Sequence, residues 1–94
     1  SHLPFLISSA LALATPNDVM SFIGPGFKST SRLAGTSSSM MLGVLQSNHE
    51  NVLNALRELQ NQLAEIESVL SSNDFSKLES ILNEAQNKYQ TFTQ

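Results

Sequence analysis

Residues 38–70 read SSMMLGVLQSNHENVLNALRELQNQLAEIESVL, and the fold turns on them. Val52, Leu56, Leu59, Leu63, Ile66 and Leu70 step by 4, 3, 4, 3 and 4 residues. A seven-residue apolar repeat of this kind draws one stripe along an α-helix. The repeat extends back through His49 to Leu45; no proline interrupts it and Gly43 is its only glycine. The stretch is therefore predicted to be one continuous helix of about 33 residues, about 50 Å long at 1.5 Å per residue. A compact chain of 94 residues has a radius of gyration of about 12 Å and is roughly 30 Å across. A rod of that length overhangs its own domain. A second copy of the chain is the simplest cover for the leftover stripe.

Downstream, Ser71-Ser72-Asn73-Asp74 ends this helix and caps the next. Phe75, Leu78, Leu82, Ala85, Tyr89 and Phe92 then step by 3, 4, 3, 4 and 3. Two helices of one period, joined by about three residues, are predicted to fold back as an antiparallel hairpin. Upstream, Ser1 can cap a first helix and Pro4 suits its first turn. Leu3 to Ala14 is apolar nearly all round, which predicts a helix central in the core. Thr15-Pro16-Asn17-Asp18 reads as the capped start of a short helix to about Phe22. Gly24-Pro25-Gly26 reads as a tight turn, Phe27 to Ala34 as two helical turns, and Gly35 as their stop. Thr36 to Ser39 offers caps for the long helix. No stretch alternates long enough for a strand. The expected fold is all-α: a helical bundle over residues 1–94 with one long helix and a C-terminal antiparallel helix, forming an intertwined dimer.

Composition narrows the function classes. There is no cysteine, so disulfides and thiolate metal sites are ruled out, which fits a reducing, cytoplasmic location. The net charge of −3 argues against nucleic-acid binding. The apolar run from Leu3 to Ala14 is too short to span a bilayer, and no basic residue precedes it as in a signal peptide. The chain does not begin with Met, which is expected of a piece of something longer. Charge is uneven: seven of the eight acids stand at Glu50 or later, and none lies between Asp18 and Glu50, where Lys28 and Arg32 sit. The middle of an acidic chain is thus locally cationic.

Arg32 is the residue most suited to chemistry. Without a nearby carboxylate in sequence, its guanidinium is free to grip an anion, and it takes a carboxylate with two parallel bonds. A solvated surface arginine is the alternative, and a surface lysine is the plainer reading of Lys28. His2 can donate a hydrogen bond or shuttle a proton, or simply stand exposed at a helix start. His49 falls on the apolar stripe as an interface histidine, with Glu50 facing another way. Two histidines this far apart offer no metal spacing. Gly24-Pro25-Gly26-Phe27-Lys28-Ser29 imitates a glycine-rich nucleotide loop, but the third glycine and the preceding strand are missing.

Three segments resemble one family. Ser1-His2-Leu3-Pro4 opening a buried helix is similar to the start of the C-terminal domain of prephenate and arogenate dehydrogenases. Gly26-Phe27-Lys28-Ser29-Thr30-Ser31-Arg32-Leu33-Ala34 resembles that family's Gly-Phe-basic-x-x-(Ser/Thr)-Arg-hydrophobic-(Ala/Gly) stretch. Asn48, one turn into a long helix, is the third match. The resemblance implies a full-length enzyme that oxidatively decarboxylates prephenate or arogenate on the route to tyrosine. Its NAD or NADP would be held mainly by an N-terminal dinucleotide-binding domain that this chain lacks. It implies that the helical domain supplies a homodimer interface and part of the substrate site. Arg32 is then the arginine on a substrate carboxylate, and His2 the active-site histidine. Phe5 and Lys28 line the same pocket. Phe5 stands where many prephenate-using members carry a second histidine, which shifts the expected preference toward arogenate. An acid often found after the basic residue is Ser29 here. The fragment alone is expected to dimerise without catalysing. The competing reading is a stand-alone helical dimerisation module.

Overall fold

The computed structural model describes residues 2–18 and 24–93, and all regular structure among them is helical. The elements are α1 (His2–Ala14), α2 (Pro25–Ser31), a 3-10 helix (Arg32–Gly35), α3 (Ser38–Ser47), α4 (His49–Ser71) and α5 (Phe75–Phe92). The chain divides into two compact units, Ser1–Leu56 and Arg57–Gln94, the boundary falling within α4.

In the first unit α1 is the hub, packing against α2, the 3-10 helix and α3. Its best-buried side chain is a serine. Ser8 is 2% exposed, and its hydroxyl donates to the Thr30 carbonyl at 2.7 Å. That carbonyl lies in the last turn of α2, where helical carbonyls lose their own partners. Met41 of α3 is the buried apolar residue of this unit. The expected central helix is thus only partly covered: Phe5, Leu6 and Ile7 are half-buried, while Leu13 is 88% exposed. Asn17 and Asp18 take 3-10 helical conformation, where the short helix was expected to start. The Thr15 hydroxyl does not cap it but donates back to the Leu11 carbonyl at 2.7 Å and so closes α1. Ser1 and most of the expected short helix, residues 19–23, lie outside the described residues.

Gly24-Pro25-Gly26 is a helix start, not a tight turn. Gly24 is the extended N-cap residue of α2, its carbonyl accepts from the Lys28 N–H at 3.2 Å, and Pro25 takes the first helical position. Proline needs no N–H there. The expected inner face survives, with Phe27, Ser31 and Ala34 half-buried, and Gly35 ends the segment as expected. Ser37 stands at the N-cap position of α3 but makes no capping bond; its hydroxyl pairs with that of Ser39 at 3.1 Å.

The main departure is in the stretch that decides the fold. The predicted rod of about 33 residues is broken at Asn48, which adopts φ −123° and ψ 29°. The Asn48 N–H still donates to the Val44 carbonyl at 3.2 Å, and its carbonyl accepts from Val52 N–H at 3.1 Å. Asn48 therefore closes α3 and opens α4, a role for which asparagine is well suited. The break leaves His49 as the first residue of α4, three residues before Val52 and so still on the stripe. Its side chain is 69% exposed and its Nδ1 lies 3.6 Å from Glu50 Oε1, so Glu50 does not face away. With 23 residues, α4 is about 35 Å long, close to the diameter of the domain. Length alone no longer requires a second copy; the exposed stripe does.

The second unit shows that stripe. Asn73 takes the left-handed conformation, φ 58°, with its N–H on the Leu70 carbonyl and the Asp74 N–H on that of Val69, each at 3.2 Å. This is the double bond of a Schellman C-cap, with asparagine in place of glycine. Asp74 then caps α5, its carboxylate accepting from the Lys77 N–H at 3.1 Å. Val69 is buried and Ile66, Leu78 and Ile81 are half-buried. Leu63, Leu70, Phe75, Leu82, Tyr89 and Phe92 are all exposed, Phe92 at 72%.

Candidate functional site

His2 is the first residue of α1 and half-buried. Its Nδ1 lies 3.3 Å from Nδ2 of Asn48, 46 residues away in sequence. The Asn48 amide is held in turn from behind: Asn51 Nδ2 donates to Asn48 Oδ1 at 3.0 Å. One helical turn separates Asn48 from Asn51, so the start of α4 presents both amides together. A shallow cleft of about 240 Å³ opens at this point, lined by His2, Leu3, Pro4, Asn48, Asn51, Val52 and Ala55. Its walls are apolar, its polar groups are an imidazole and two carboxamides, and it contains no charged carboxylate, guanidinium or ammonium.

Arg32 and Lys28 sit elsewhere in the same unit. Lys28 is exposed on α2 and Arg32 exposed on the 3-10 helix four residues later. Neither takes part in an ion pair among the described residues; the one ion pair there joins His49 and Glu50. The cationic character read from the sequence is therefore not neutralised by a neighbouring acid. Phe5 is half-buried on α1, about one turn after His2. Arg32, Lys28 and Phe5 do not line the His2–Asn48 cleft. What connects the two places is α1, which carries His2 at its start and packs against the 3-10 helix that carries Arg32.

Asn51 is a cleft residue that sequence reading missed. Its signal was faint: an asparagine three residues after Asn48, legible only once α4 is known to start between them. Two other functions have no geometry among the described residues. No group of three metal-ligating side chains comes together, and no helix is long and apolar enough to cross a membrane. The glycines that imitate a nucleotide loop open a seven-residue helix, Pro25–Ser31, and the third glycine of such a loop is missing.

No solved structure matches this chain. The family model described as prephenate dehydrogenase, dimerization domain, matches residues 1–84 and so ends inside α5. That span holds the His2 segment, the stretch from Gly26 to Ala34, Asn48 and the whole of α4. The chain belongs to the prephenate dehydrogenase dimerization-domain family.

Proposed function

We propose that this chain is the dimerisation and substrate-site half of an NAD- or NADP-dependent prephenate or arogenate dehydrogenase, acting in the cytoplasm in tyrosine biosynthesis. Membership of the family over residues 1–84 carries the reading. Two physical observations support it. An arginine without an acidic partner fits a substrate that bears a carboxylate. An exposed apolar series on α4 and α5 fits a homodimer.

In this reading Arg32 binds a substrate carboxylate, Lys28 adds to the positive field, and His2 supplies a hydrogen bond at the reacting end of the pocket. Phe5 gives an apolar wall where a hydrogen-bonding residue would favour a keto acid, which favours arogenate. The nicotinamide cofactor belongs on a separate dinucleotide-binding domain of the full-length protein. When bound there it accepts the hydride; the residues of this chain bind and orient the substrate. The 94 residues alone should pair without turnover.

The test is Arg32→Ala in the full-length enzyme, with substrate binding and dimer formation measured side by side. The reading requires weakened binding of prephenate or arogenate and an unchanged dimer. If binding is unaltered, Arg32 is only a surface residue, and a stand-alone dimerisation module becomes the better description.

A further inference from the structure

The break at Asn48 puts a helix start, two amides and an imidazole in line, and the geometry points to Asn48 as the positioning residue for His2, orienting its ring so that the neutral imidazole carries its proton on Nε2. The Asn51 → Asn48 → His2 series could run in either direction if only heavy-atom distances counted. In one direction Asn51 donates to Asn48 Oδ1 and Asn48 donates to His2 Nδ1. In the other, both amides are turned and His2 donates from Nδ1. The placement of the two amides decides between them. Asn48 Oδ1 accepts from Asn51 Nδ2, so Asn48 Nδ2 is the group that faces His2 Nδ1. The Asn48 NH₂ needs an acceptor there, which Nδ1 supplies without its proton. Nε2 then carries the proton and becomes a donor.

No charged side chain lines the cleft. An Nε2–H donor in a cleft lined by Leu3, Pro4 and Val52 suits an uncharged oxygen acceptor, a carbonyl or hydroxyl of a small ligand. The carboxylate would be left to Arg32 outside this cleft. That division of labour on the substrate rests on the proposed function; the state of the His2 ring does not.

The experiment is nitrogen-15 NMR of the His2 imidazole in the 94-residue chain at about pH 8.5, where histidines are neutral. The same chain unfolded in urea supplies the free-ring reference. The wild-type chain should show Nε2 fully protonated and Nδ1 as a hydrogen-bonded acceptor, distinct from the tautomer mixture of the unfolded chain. Asn51→Ala should move His2 part of the way to that mixture. Asn48→Asp is the decisive variant. Aspartate caps a helix as well as asparagine does, so the melting temperature should hold while the proton moves to Nδ1 to face the carboxylate. A ring indistinguishable from the unfolded reference, or one that Asn48→Asp leaves unaltered, would mean that Asn48 is a helix cap and nothing more. A positioned ring together with substrate binding that ignores His2→Ala in the full-length enzyme would sink the functional reading and leave the positioning intact.

Discussion

Among the described residues the two units each bury one apolar side chain, Met41 and Val69, but the second leaves more large hydrophobic residues facing water than the first. Residues up to Leu56 gather α2, the 3-10 helix and α3 around α1 and seal the contact with a buried serine hydroxyl on a helix-end carbonyl. Beyond Arg57, apolar residues recur with helical spacing but one valine is buried, while Leu63, Leu70, Leu82, Tyr89 and Phe92 face water. The difference teaches where each part finds its stability. The first unit draws more on contacts between its own helices; the second presents the larger apolar surface, which fits cover by a partner.

The sharpest way to break this contrast is Leu63→Asp. Because Leu63 is already 56% exposed, the change spares the single chain and burdens the pair. An unpaired charge buried at an interface costs about 3–5 kcal/mol. The dimer constant should therefore weaken on the order of 10²- to 10³-fold, read by sedimentation equilibrium. An unchanged constant would mean that the stripe is not the seam. Arg32→Ala in the full-length enzyme comes next. Loss of a charge-assisted pair costs about 2–3 kcal/mol, so substrate binding should fall by a factor of roughly 30 to 150 with the dimer unaffected.

Ser8→Ala probes the closed unit. It removes the hydrogen bond to the Thr30 carbonyl, which costs about 0.5–1.5 kcal/mol and should lower the melting temperature by several degrees. The dimer constant, measured well below that temperature, should stay put; if it moves with Ser8, the two units do not divide the work as described. The smallest effect is expected of Asp74→Ala. It removes the α5 cap and should cost about 1 kcal/mol in thermal unfolding.

Both ends of α4 are polar interruptions of one apolar repeat, yet one was legible and the other was not. At the far end, four consecutive turn-forming residues, Ser71 to Asp74, leave no apolar position for the repeat to use. At the near end a single Ser47-Asn48 pair interrupts it, with no glycine or proline. The spacing from Leu45 to Val52 still fits a helix, and a cap worth about 1 kcal/mol is too weak a local signal to override that pattern. Gly24-Pro25-Gly26 misled differently: the same residues suit a turn or a helix start, and the packing of α2 on α1 settles which. Arg32 and Lys28 were readable as a free cationic pair because the acids are so far away in sequence. The meeting of His2 with Asn48 had no sequence signature, since 46 residues separate them and α1 must first pack on α3.

Gly43 sits in the interior of α3, and a methyl group built there would meet nothing within 4 Å. Its φ is not positive, so alanine fits the backbone and would stiffen the chain, by about 0.5–1 kcal/mol. The position therefore serves as a gauge of how far the shared surface reaches. A more heat-resistant protein after Gly43→Ala would place α3 in open water even when two copies are joined. A less cohesive pair would mean that the neighbouring copy comes within a methyl's reach of this helix.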